Sequence, residues 1–150
     1  MSHTKSCSVL ALSDNAPVGV DLELRRARRL GGLVNSCLSN REIGEFALLP
    51  SHKKLNHFYR IWTAKEAVLK AVGVGLAGRM KLVEPRTVSS NTDSTTMACE
   101  YSGADWSILT ANVAEYAVAF ATAEHQPLPR FHIELATADA LVLGNEDARL

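Results

Sequence analysis

Ser51-His52-Lys53-Lys54-Leu55-Asn56-His57-Phe58-Tyr59-Arg60-Ile61-Trp62-Thr63-Ala64-Lys65-Glu66-Ala67-Val68-Leu69-Lys70-Ala71-Val72 is the stretch on which the architecture turns. Leu55, Phe58, Ile61 or Trp62, Leu69 and Val72 recur at the three- and four-residue spacing of one helix face. Gly73 and Gly75 follow, and glycine closes a helix because it enters the left-handed backbone region at no steric cost. The spacing predicts a helix over 51–72, the longest in the chain.

Moving upstream, Ser39-Asn40-Arg41-Glu42 has the form of a capping box, ahead of Ile43, Phe46 and Leu49. It predicts a second helix over 40–49, ended near Pro50. The basic run Arg25-Arg26-Ala27-Arg28-Arg29 leads into Leu30–Leu33, expected as a helical turn or loop; the arginines are either a solvated face or an anion contact. Ser8–Ser13 reads as a short buried strand, Asp14–Pro17 as a turn and Val18–Glu23 as a second strand, together a hairpin. Downstream, strands are expected over 81–88, 97–101, 105–112 and 115–122, with 89–96 a polar loop and the last two strands forming a hairpin across Ala111–Tyr116. Residues 132–143 carry a weak pattern for a strand and then a short helix capped by Thr137. Strands, then helices, then strands argue for an α+β fold, an antiparallel sheet packed against the long helix plus shorter helices. The whole of 1–150 is taken as one domain, with 124–150 a peripheral extension.

The 16 basic and 16 acidic residues cancel, so no global field steers the protein to nucleic acid or a membrane surface, and an anionic ligand must be held by local groups. Hydrophobic residues make up 47%, without a run long enough for a membrane span, which predicts a soluble protein. Cys7, Cys37 and Cys99 lack the paired spacing of zinc or redox sites and read as reduced thiols. No signal-peptide pattern opens the chain, and the cytoplasm is the expected location.

Asp21 and Glu23, two residues apart on a strand, send both carboxylates from one face while Val20 and Leu22 leave the other. Hard oxygen ligands on a rigid strand suit magnesium, but such a pair is also common on solvent faces. Glu66 and Lys70, four apart on the long helix, form either a helix-stabilising pair or part of a site. Lys65, among apolar neighbours, is either a snorkelling side chain or a phosphate partner, and Trp62 by itself would be core.

Gly19-Val20-Asp21-Leu22-Glu23, followed 43 residues after Glu23 by Glu66 within Trp62-Thr63-Ala64-Lys65-Glu66-Ala67-Val68-Leu69-Lys70, resembles the paired signature of the 4′-phosphopantetheinyl transferase superfamily. Gly73-Val74-Gly75-Leu76 is similar to the family's continuation, and Ser2-His3-Thr4 to the S-H-[S/T] element of its Sfp-type members. The resemblance implies a magnesium-dependent transfer of the phosphopantetheine arm of coenzyme A to a serine of an apo acyl or peptidyl carrier protein. It assigns Asp21, Glu23 and Glu66 to the metal, and Glu66, or a metal-bound water, to deprotonation of the serine. Lys70 and Lys65 would meet phosphate, His3 would contact the nucleotide, and Trp62 would aim Glu66.

Sfp-type enzymes carry two similar halves, and this sequence resembles the second. Rival expectations follow: a non-catalytic half-domain that binds carrier protein or pairs with a separate first half, or a homo-oligomer in which two copies imitate the two halves. A metal-dependent phosphohydrolase or nuclease would also use the carboxylates, but the neutral charge lacks a footprint for a phosphate backbone.

Overall fold

A computed structural model describes residues 1–4, 7–27, 30–75, 80–92, 94–123 and 136–137. Chain order runs β1 (Ser2–Thr4), β2 (Cys7–Val9), β3 (Val18–Leu24), α1 (Gly31–Cys37), α2 (Asn40–Leu48), α3 (Ser51–Val72), a 3-10 turn (Met80–Leu82), β4 (Arg86–Ser90), β5 (Ser94–Tyr101), β6 (Ala104–Val113), β7 (Tyr116–Ala123) and β8 (Ala136–Thr137). The fold is α+β, as expected. Five antiparallel strands in the order β3-β7-β6-β5-β4 form the main sheet, and β1-β2-β8 form a small second one.

Helix α3 begins after Pro50 and stops at Gly73, whose φ of 78° turns its N–H back to the carbonyls of Leu69 and Lys70 at 3.0 and 3.2 Å. Phe58, Tyr59, Val68 and Leu69 are each 0% exposed. Burying side chains of this size contributes about 1.5–3 kcal/mol apiece, against a few tenths for a surface ion pair, so packing rather than charge holds α3 on the sheet. Helix α2 opens with the expected capping box: Ser39 N–H donates to Glu42 Oε2 at 2.8 Å, and Glu42 N–H to Ser39 Oγ at 3.4 Å.

The two faces of the main sheet differ in kind. Ala117, Ala119 and Ala121 of β7 share the core beneath α3 with Ala64, Ala67 and Val68. On the opposite face Val118 and Phe120 of β7 pack with Val20 and Leu22 of β3 and with Cys7 and Val9 of β2. The period-two alternation sorts small residues toward the helix and large ones away from it. Small residues let α3 lie close to β3 and β7.

Several expectations are corrected. The anticipated hairpin of Ser8–Ser13 with β3 does not form. Strand β2 ends at Val9, Leu10 and Leu12 are exposed, and β2 pairs with β1 in the register Ser2↔Val9 while β3 pairs along its whole length with β7. Seven ladder positions against β7 offer β3 more than three against β2 could. Residues 81–88 are not one strand: Pro85 has no N–H to give a ladder, and it separates the 3-10 turn from β4. The expected loop 89–96 is strand at both ends, closed by a turn in which Asn91 N–H reaches Ser94 O at 3.0 Å and Ser94 N–H reaches Asn91 Oδ1 at 2.7 Å. Thr137 pairs with Cys7 in β8, and the remainder of the expected C-terminal strand, with the helix expected after it, lies outside the described residues.

Candidate active site

Strand β3 and helix α3 cross at Gly19. A Cβ there would stand 1.9 Å from Ala67 O and 2.6 Å from Ala71 N, so only glycine permits this approach. Two residues on, Asp21 leaves the same face of β3, is 3% exposed, and takes Lys70 Nζ onto its Oδ1 at 2.6 Å. Ser2 Oγ completes the cluster. It donates to Asp21 Oδ1 at 3.1 Å and accepts from Lys70 Nζ at 2.9 Å and from the Leu22 N–H at 3.2 Å. Strand β1 is thereby tied to the edge of β3. The second carboxylate oxygen, Asp21 Oδ2, is buried without a hydrogen-bond partner.

Glu66, one helical turn before Lys70, is 7% exposed. Burial first, then the negative charge of Asp21 and Glu23, push its carboxyl up to about 7, against a smaller lowering by Lys70. Asp21, Glu23 and Glu66 therefore share one electrostatic neighbourhood. Among the described residues, however, no group of three His, Cys, Asp or Glu side chains stands ready to hold a metal ion as they lie. The donor set still fits a hard divalent cation: all oxygen, crowded negative charge, and one buried oxygen that lacks a partner. Lys70 supplies the positive charge at Asp21 here, with a side chain 35% exposed.

Lys65 requires a correction. Expected as a phosphate partner, it is 0% exposed, and its ammonium spends all three donors internally, on Glu42 Oε2 at 2.6 Å, Met80 O at 3.0 Å and Cys37 O at 3.1 Å. No donor remains for a ligand. Burial lowers its pKa, partly offset by Glu42. Glu42 thus closes the α2 cap and neutralises Lys65 at once, locking α1, α2 and the 3-10 turn onto α3 beside Glu66.

A family description matches residues 17–121, the span from just before β3 nearly to the end of β7, and it is that of the 4′-phosphopantetheinyl transferase superfamily. The chain belongs to this superfamily. Among curated relatives, 4′-phosphopantetheinyl transferase HetI of Nostoc sp. is 37% identical over 78 residues, 51% of this chain and 33% of that protein. 4′-Phosphopantetheinyl transferase AcpT of Salmonella typhi is 38% identical over 74 residues, 49% of this chain and 38% of that protein. The chain thus spans little more than a third of the length of the curated relatives it matches. In fold it is similar to the crystal structure of Thermotoga maritima holo-[acyl-carrier-protein] synthase, with a TM-score of 0.55 and 20% identity over 73% of this chain and 64% of that one.

Superfamily membership makes the β3–α3 crossing the place to look for chemistry, and two residues there were not singled out from sequence. Ser2 sits inside the quoted Ser2-His3-Thr4 element, whose histidine drew the attention, yet His3 is exposed on the other side of β1 and Ser2 is the buried contact. Glu42 was read only as a cap. Trp62 packs half-buried against Phe58, with ring centroids 5.5 Å apart, on the helix that carries Glu66. Of the basic run, Arg25 is structural: it donates to Asn56 Oδ1 at 2.8 Å and to the carbonyls of Glu115 and Ala114. Arg28 and Arg29 lie outside the described residues. All three cysteines are free thiols.

Proposed function

We propose that this chain transfers the 4′-phosphopantetheine arm of coenzyme A to a serine hydroxyl of an apo acyl or peptidyl carrier protein, in the cytoplasm. The observation that carries the reading is the convergence of Asp21, Glu66 and Lys70 where β3 crosses α3, inside the span that matches the superfamily. Asp21, Glu23 and Glu66 would hold Mg2+, which when bound neutralises pyrophosphate charge. Lys70 keeps one N–H beyond those given to Ser2 and Asp21, which would be available to a phosphate oxygen. Glu66, buried in this cluster, would take the serine proton. The serine oxygen bonds to the β-phosphorus, the bond from phosphorus to the departing 3′,5′-ADP oxygen breaks, and the proton resides on Glu66. His3, exposed on β1 next to Ser2, is available to the nucleotide end.

A second reading is favoured by the fraction of each relative that the chain covers. In it, the domain keeps the acids but is not catalytic alone, and binds carrier protein or pairs with a separate first half. Intact-mass spectrometry of an apo carrier protein incubated with the chain, coenzyme A and magnesium separates the two. A gain of one phosphopantetheine mass, lost in Glu66→Ala and on chelation, supports transfer by this chain. A folded, magnesium-binding chain that leaves several carriers unchanged fits the second reading and sinks the first.

A further inference from the structure

Six residues before Glu66, about 9 Å earlier along α3, Arg60 reaches toward the far part of the sheet. Its contact Thr95 belongs to β5, three strands from β3 in the sheet order and so about 14 Å across. One guanidinium nitrogen donates to Thr95 Oγ1 at 3.5 Å and another to His57 Nδ1 at 3.1 Å, while Nε is buried without a partner. Burial and the neighbouring guanidinium hold His57 below its usual pKa, which leaves Nδ1 free to accept. No carboxylate of the described residues lies within ion-pair distance of Arg60. Burial lowers the Arg60 pKa as well. A half-buried cation without a counter-ion among the described residues is costly, and it can recover that cost by binding an anion.

The guanidinium borders a cavity of about 100 Å³ whose wall also carries Ser90, Asn91, Thr95, Thr110 and Asn112. Ser90 Oγ and Thr95 Oγ1 stand 2.9 Å apart. We infer that this cavity is a second anion site, separate from the β3–α3 crossing, that takes a tetrahedral oxyanion: phosphate, free or as a monoester. A planar carboxylate on the guanidinium fork would leave the surrounding hydroxyl and amide donors without acceptors, and so is expected to bind too weakly to register. Hydroxyl and amide donors around the fork match the additional oxygens of a tetrahedral ligand. Asp93 adjoins these residues in sequence and lies outside the described residues.

The test is a titration of the full chain with inorganic phosphate, phosphoserine and acetate, followed by amide NMR shifts of Ser90, Asn91, Thr95 and Asn112. Saturable shifts with inorganic phosphate are expected, absent with acetate and unchanged in Lys70→Met. A response to phosphoserine as well identifies a site open to monoesters, and its absence identifies one for the free ion. Arg60→Lys keeps the charge but not the fork and should weaken binding about tenfold or more; Thr95→Val should weaken it without touching the cation. Silence of these amides toward phosphate overturns the proposal. So do shifts that persist at full strength in Arg60→Lys and Thr95→Val, or that vanish in Lys70→Met.

Discussion

Lys65 and Lys70 are five residues apart on one helix, and each meets a buried carboxylate at 2.6 Å. Beyond that they share little. Lys65 is sealed, its donors divided among Glu42 and two carbonyls, so its charge serves only to fix three elements around α3. Lys70 has a side chain 35% exposed, keeps a donor in hand, and faces an aspartate with an idle oxygen. Glu66 stands between them, buried and in no salt bridge with the described residues. The difference teaches that a lysine's role follows from how many of its donors the fold has already used.

The comparison breaks most visibly at Lys65. Lys65→Met leaves buried Glu42 with only a long contact to Arg41 at 3.9 Å for a cation and should cost about 3–5 kcal/mol in chemical denaturation, whereas adding Glu42→Gln should recover part of that loss. A loss under about 1 kcal/mol for Lys65→Met would show the pair to be solvated. Glu66 sharpens the contrast through pH. Its folded carboxyl is raised from 4.5 to about 7, so the folded state holds a proton that the unfolded state releases first. Its stabilising contribution is complete below the unfolded value and fades as pH rises to about 7, an effect of at most about 3 kcal/mol without metal. Denaturation from pH 4.5 to 8 with chelator present should show this decline, and Glu66→Gln should flatten it; parallel curves for the two proteins would refute the assignment. Lys70→Met should cost less stability than Lys65→Met, because the opening that leaves Lys70 35% exposed admits water to Asp21, while abolishing the proposed carrier modification. Equal damage to stability from Lys65→Met and Lys70→Met would erase the distinction.

What was legible from sequence was what repeats. Helix α3 displays its face over 22 residues, α2 carries its cap, and β3, β6 and β7 alternate over seven to ten residues. The β1–β2 hairpin could not be read because three-residue strands are too short to show a period, and β4 because all five of its residues are exposed and none alternates. The acids of the candidate site were legible as a motif. The internal use of Lys65 was not, since a lysine among apolar neighbours looks the same in sequence whether its head escapes to solvent or meets Glu42, 23 residues away. Ser2 was hidden for a related reason, because its partners Asp21 and Lys70 are brought to it only by the fold.

Gly19 sets a limit of another sort. Where most helices rest on a sheet through a cushion of side chains, α3 meets β3 backbone against backbone at Ala67 and Ala71. A cushion yields when its residues change; a hard stop does not. The separation between the strand bearing Asp21 and the helix bearing Glu66 and Lys70 is therefore indexed to a contact with no adjustable part, so repacking elsewhere in the core can alter stability while leaving the reach between those side chains calibrated.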